Sequence, residues 1–172
     1  HRLFRRQRQM CIRDRVEGRT ASEAEAEAGL RKVIAEAKGR VAISCFSSNV
    51  ARIQSIIRAA QANDRSVAVV GRAIRRAISA AQEVGYLRDL PDFVAEDDIE
   101  LLPRENIVIL CTGTQGEPRA AMAKIAAGTH ESVTLDPGDT VVFSSRQIPG
   151  NEPAIARVQH GLIRRKICLL YT

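Results

Sequence analysis

An α/β fold, with an open and mainly parallel sheet flanked by helices, is what this sequence predicts. Three observations predict it. Short apolar runs recur at Val41–Cys45, Val67–Val70, Ile107–Cys111 and Thr140–Phe143, without the polar alternation of a strand that faces water on one side. Stretches with helical apolar spacing alternate with these runs, as a parallel sheet with right-handed crossovers requires. Each run also gives way to glycine, serine, threonine or asparagine within a residue or two. Loops therefore leave several strand C-termini along one edge, the place where open α/β sheets bind ligands.

Taken in order, Ser22-Glu23-Ala24-Glu25 is a capping box ahead of a helix whose apolar face carries Leu30, Val33, Ile34 and Ala37. Gly39 reads as its stop. After the first strand, Phe46-Ser47-Ser48-Asn49 is a polar turn in which either serine is placed to cap the next helix, with Val50, Ile53, Ile57 and Ala60 on one stripe and its end at Asn63-Asp64. Val67–Val70 runs straight into Gly71-Arg72, and Ile74, Ala77, Ile78 and Ala81 stripe a third helix that Gly85 terminates. Tyr86–Glu105 is less regular: Pro91 and Pro103 bracket Glu96-Asp97-Asp98, with Ile99, Leu101 and Leu102 as anchors. The acidic trio reads as a solvated helix start rather than a metal site.

Asn106–Pro118 organises the rest. The unbroken run Ile107–Cys111 suits a strand covered on both faces, and Thr112–Gly116 follows with two hydroxyls, an amide and two glycines. Pro118 is expected in the first turn of a helix, where a missing N–H costs nothing. Such a strand, loop and helix N-terminus would aim backbone N–H groups at an anion. Ala120–Ala127 is then a short helix stopped by Gly128, and Val133–Leu135 a brief extended segment before the turn Asp136-Pro137-Gly138-Asp139. Beyond Thr140–Phe143 and the loop Ser144–Gly150, Asn151 caps a helix with Pro153 in its first turn and Ile155, Val158 and Leu162 on one face.

At 172 residues with 45% hydrophobic content the chain holds one domain, and the 3% aromatic content makes its core aliphatic. No apolar stretch approaches the roughly 18 residues of a membrane span and no signal-peptide pattern appears, so a cytoplasmic protein without membrane partners is the expectation. The net charge of +6 belongs to the ends. Residues 1–15 hold six arginines and one aspartate, Lys166 adds one charge, and residues 16–165 balance at 19 basic and 19 acidic side chains. No global basic field follows for the body. Both ends, with the strings QRQMCIRDR and CLLYT, resemble translated sequencing-adapter read-through. Residues 1–15 and 166–172 are therefore expected to be a non-native arm and tail that pack poorly, around a domain at 16–165. The competing reading of the arm is an Arg-rich nucleic-acid segment.

Familiar catalytic signatures are missing. There is no G-x-x-x-x-G-K-[ST], no G-x-S-x-G and no C-x-x-C; Gly113-x-x-Gly116 is only a fragment of a dinucleotide fingerprint. His130 and His160 each stand alone, and Cys45 and Cys111 close buried strands where a free thiol acts as a small hydrophobe. No catalytic residue, metal site or disulfide is assigned.

Four motifs in sequence go further: V-x-I-x-x-F-S-S-N-V-x-R-I-Q at 41–54, V-A-V-V-G-R at 67–72, C-T-G-T-Q-G-E-P at 111–118 and I-P-G-N-E at 148–152. Together they resemble ribonuclease J, in its Rossmann-like β-CASP domain, across residues 20–163. The resemblance implies part of a bacterial endoribonuclease and 5′-to-3′ exoribonuclease of RNA processing and decay. Its β-CASP domain is inserted in a metallo-β-lactamase domain and clamps RNA over a two-metal (Zn2+) centre; the intact enzyme would be a homo-oligomer. The resemblance implies that Ser47, Ser48 and Asn49 contribute to a phosphate pocket, and convergence of the strand-end loops adds Thr114, Gln115 and Gly116. The H-x-H-x-D-H and S-G-H motifs of the family are absent and are expected upstream and downstream. The fragment itself is expected to bind no metal and to be inactive. Thr114 stands where many relatives carry serine, and Arg146 where some carry a smaller residue. The alternative is a nucleotide- or sugar-phosphate-binding α/β module; the plainest reading is that the glycines only turn the chain and the hydroxyls only cap helices.

Overall fold

Residues 22–172 are described by the computed structural model. The arm 1–15 lies outside them. Among the described residues, Val41–Ser44 (β1), Ser66–Val70 (β2), Ile107–Cys111 (β3), Thr140–Phe143 (β4) and Cys168–Tyr171 (β5) form one sheet. Its order is β2-β3-β1-β4-β5 and every pairing is parallel. Val41 sits opposite Val108 on one side and Thr140 on the other. All residues of β1, β3 and β4 are buried, which is why these strands carry no polar alternation.

Helices cover both faces: Glu23–Glu36 (α1), Val50–Gln61 (α2) and Arg72–Glu83 (α3) on one, Ala121–Ala127 (α4) and Glu152–Arg164 (α5) on the other. Leu30, Ile34, Ile53, Ile57, Ile74 and Ile78 meet Val41, Ile43, Val69 and Leu110 in the first core layer. Met122, Ile125, Val158 and Leu162 meet Ile109, Val141 and Phe143 in the second. Each such aliphatic side chain contributes about 1.5–3 kcal/mol by burial. The crossover from β1 to β2 and those leaving β3 and β4 run in opposite directions on opposite faces, so they share one hand.

The long connection Tyr86–Glu105 rounds the outer edge of β2, where Val94 forms a single bridge with Ala68. It then packs a 3₁₀ helix, Glu96–Leu101, against the second layer through fully buried Ile99. Leu101, expected as an anchor, is 78% exposed; a 3₁₀ turn repeats every three residues and points it outward. At the N-terminal end of the sheet, buried Arg40 closes a network. Its guanidinium donates to Glu100 Oε1 (2.5 Å), Thr134 O (2.9 Å) and Ile99 O (3.0 Å). Its N–H donates to Asp139 Oδ1 (2.9 Å). Arg104 pairs with Asp136 (2.9 Å) and Asp139.

Two further expectations are corrected, and one segment is placed. Gly39 is not the cap of α1, which is Ala37; a Cβ at Gly39 would lie 2.4 Å from Asp139 Oδ1, so close approach to that network is what excludes a side chain. Val133–Leu135, read as a brief extended segment, joins no strand of the sheet, and Val133 and Leu135 are buried. The tail 166–172 does not pack poorly. It holds β5, pairs Val141 with Leu169, buries Ile167 and stacks Tyr171 on Phe143 at 5.8 Å between ring centroids. The reason is local: α5 delivers the apolar run Cys168-Leu169-Leu170-Tyr171 beside an open edge of β4, completing a β-α-β unit.

Candidate functional site

The loops leaving β1, β3 and β4 meet at one edge because their strands are neighbours. Cys45 N–H donates to Cys111 O (3.1 Å) and Ser144 N–H to Ser44 O (2.8 Å), carrying the ladder into the loops. Ser47 and Ser48 form a turn closed by Asn49 N–H on Phe46 O (3.0 Å); Ser47 is half-buried and Ser48 exposed. Neither serine caps α2. Asn49 does, its Oδ1 accepting from Arg52 N–H at 3.0 Å. The serine hydroxyls are thereby released from the capping role the sequence suggested. Arg52 in turn donates to Glu23 (2.8 Å) and Ser144 Oγ (2.6 Å). Burial alone would raise the Glu23 carboxyl, but hydrogen bonds from Arg52 and Ser55 and the Arg52 charge hold it below the usual range. A cavity of about 750 Å³ opens here, with Glu23, Phe46, Asn49, Arg52 and Arg146 in its walls.

Thr114, Gln115 and Gly116 are brought to the same edge, but their side chains and backbone are spent on the protein itself. Gln115 is 95% buried (5% exposed) and ties two loops together. Its amide nitrogen donates to Arg146 O (2.9 Å) and Thr114 Oγ1 (3.3 Å); its amide oxygen accepts from Ile148 N–H (2.8 Å) and Asn151 Nδ2 (3.3 Å). That last bond explains why Asn151, at the N-cap position of α5, makes no side-chain cap. Gly116 lies against α5, where a Cβ would meet Ala154 C at 2.3 Å.

Pro118 is not in a helix. Glu117–Ala120 closes its own turn, Ala120 N–H to Glu117 O at 3.0 Å, and α4 starts only at Ala121. Glu117 also accepts from Gln115 N–H (3.1 Å), and Met122 N–H donates to Thr112 O (3.1 Å). The anion-facing helix start expected there is therefore already occupied by protein groups.

At the end of β2 the acidic trio finds a use the sequence reading missed. Glu96 accepts from Gly71 N–H (3.1 Å) and pairs with Arg75, which also donates to Val69 O (3.1 Å). Arg76 and Arg119, not singled out from sequence, come together with Arg72 beside Gly71 and Thr112. The available signal was the four-residue spacing of Arg72 and Arg76, which puts both on one helix face.

His130 is half-buried, accepts from Ser132 N–H (3.3 Å), and is held below its usual pKa chiefly by burial. Burial pushes the Cys45 thiol up to about 12 and the Cys111 thiol higher still. Among the described residues, no group of three or more His, Cys, Asp or Glu is placed to hold a metal ion, and no helix is long and apolar enough to cross a membrane. The donor set for a two-metal centre is thus not found in them.

Comparison with known proteins places this edge in a family. The family model described as "Ribonuclease J, beta-CASP domain" matches residues 38–162, which include every strand-end loop above. Ribonuclease J of Sinorhizobium meliloti is 46% identical over 154 residues, covering 90% of this chain and 27% of that protein. Ribonuclease J of Mycolicibacterium smegmatis is 45% identical over 146 residues, 84% of this chain and 26% of that protein. The Thermus thermophilus ribonuclease J is 39% identical over 154 residues, again 90% and 27%. The chain spans about a quarter of the length of these curated relatives. With its all-parallel sheet, its strand-end loops and this match, the chain belongs to the ribonuclease J β-CASP domain family.

Proposed function

We propose that this chain is the RNA-holding part of a metal-dependent ribonuclease J that cleaves RNA both internally and from the 5′ end. Hydrolysis falls to the metallo-β-lactamase domain of the intact protein, whose two metal ions, zinc in this reading, supply the activated water and charge stabilisation. No described residue is assigned as a ligand to them. RNA, that domain and a second copy of the protein are the partners, in the cytoplasm. The single observation that carries the reading is the shared edge of β1, β3 and β4, where the Ser47-Ser48 turn stands open because Asn49 has taken over the cap. Ser47, Ser48 and the Asn49 backbone contact a phosphate. Thr114, Gln115 and Gly116 serve by fixing the loops around it.

Binding of a fluorescent single-stranded oligoribonucleotide to this chain, read by anisotropy, tests it. A hydrogen bond to a charged group contributes roughly 1.5–3 kcal/mol, so Ser47→Ala or Ser48→Ala should weaken binding about 10- to 150-fold. Unchanged affinity in both variants, or tighter binding of a free nucleotide or sugar phosphate than of RNA, refutes the role.

A further inference from the structure

A basic cavity opens at the ends of β2 and β3, away from the serine turn. Arg72 and Arg76 lie one turn apart on α3, and Arg119 approaches from the turn before α4. They line a cavity of about 470 Å³ floored by Gly71, Thr112 and Ala121. No carboxylate lines it. All three arginines are exposed, and among the described residues none of them makes an ion pair or a side-chain hydrogen bond. Arg72 and Arg119 also border the neighbouring cavity across Gly71, about 290 Å³, where Glu96 pairs with Arg75. Glu96 is thus taken by Arg75, and among the described residues Arg72, Arg76 and Arg119 have no ion-pair partner of their own. Gathering like charges is unfavourable, and an anion relieves it.

The lining also says which anion. Small residues and one threonine offer no aromatic face on which a base could stack, and no buried amide or carboxylate to read a base edge. What remains is recognition of a backbone phosphate. β3 separates β2 from β1, so the ends of these two strands lie about 9–10 Å apart. A ligand with more than one phosphodiester along its backbone reaches both.

We propose that Arg72, Arg76 and Arg119 form a phosphodiester subsite for single-stranded RNA, independent of base identity and separate from the Ser47-Ser48 turn. This rests on the RNA-holding function above. The test is a KCl titration of the affinity of this chain for a fluorescein-labelled single-stranded oligoribonucleotide of roughly ten nucleotides. Wild type is compared with Arg72→Gln, Arg76→Gln and Arg119→Gln. Ser48→Ala is the comparison at the other site, and Arg58→Gln, on the exposed end of α2, controls for net charge. Each single-stranded phosphate contact contributes about 0.7 to the slope of log affinity against log salt. Each arginine variant should therefore lower the slope by about that amount and weaken low-salt binding about tenfold or more, with an unchanged melting temperature. Ser48→Ala and Arg58→Gln should keep the slope. If RNA still binds, Ser48→Ala weakens it, and the arginine variants match wild type, the subsite is wrong while RNA holding stands. If wild type binds no RNA, RNA holding fails and the subsite with it. If AMP or inorganic pyrophosphate binds as tightly as the oligomer and depends on the same arginines, the ligand is a free phosphate compound and the phosphodiester assignment is overturned.

Discussion

Gly116→Ala should separate backbone freedom from close packing at the edge of the sheet. Gly116 has φ +76°, a left-handed conformation that costs a residue with a Cβ about 1–2 kcal/mol. The added Cβ would also lie 2.3 Å from Ala154 C, 2.5 Å from Ala154 O and 2.7 Å from Ile155 N. These are backbone atoms of α5 and cannot swing aside, so the loop and the helix must part. Overpacking of that kind costs about 1–3 kcal/mol. The expected total is about 2–5 kcal/mol, or a melting temperature lower by roughly 5–20 °C. Gly138→Ala is the matched control: φ is +96° but nothing lies within 4 Å of its Cβ position, so only the conformational cost applies. Urea unfolding followed by far-ultraviolet circular dichroism measures both. If the two variants lose stability equally, within about 0.5 kcal/mol, the packing of Gly116 on α5 does not limit this loop.

Gln115→Ala should cost about 1–3 kcal/mol, because Ile148 N–H and Arg146 C=O lose their partner; hydrogen exchange at the Ile148 amide should accelerate while that at β3 does not. Burial would raise the Glu100 carboxyl, but the Arg40 hydrogen bond, the Thr134 N–H and the charges of Arg40 and Arg104 outweigh it and lower its pKa. A depressed carboxylate contributes stability above its unfolded pKa of about 4.3 that is lost as pH falls through the folded value. Melting curves below pH ~4.3 should therefore fall less steeply for Glu100→Gln than for wild type, and identical acid limbs would refute the coupling. Among the described residues Cys168 is exposed whereas Cys45 and Cys111 are buried with raised pKa values; iodoacetamide on the native chain should modify Cys168 and spare Cys45 and Cys111, as peptide mass spectrometry will show.

The central strands were legible because burial on both faces forces uninterrupted apolar runs, and Ile107–Cys111 appears with the limits its composition suggests. Details set by neighbours were not. Ser47 and Ser48 look like caps in isolation, yet Asn49 sits one residue nearer the helix and outcompetes them. Pro118 suits a helix start by its own geometry, but Glu117 closes a turn that delays α4. Cys168–Tyr171 carries no strand signal strong enough to outweigh its odd flanks; only the free side of β4 makes it a strand. The arginine cavity was hidden for a different reason. A body with balanced charge gives no sign of where acids are missing, and Arg72, Arg76 and Arg119 meet only through the chain's path around Gly71 and Thr112.

The strand order carries a consequence for how the chain assembles itself. β1 and β2 are adjacent in sequence but never touch; each waits for β3 to fill the gap between them. Until Ile107–Cys111 has left the ribosome, no ladder can close, and two apolar segments stay without partners. The first ladder that synthesis allows joins Val67 to Val108, still a distant pair whose loop-closure entropy slows the step. Nascent chains halted before residue 107 should be the aggregation-prone species, and those extended past residue 111 should gain protease resistance abruptly rather than by degrees.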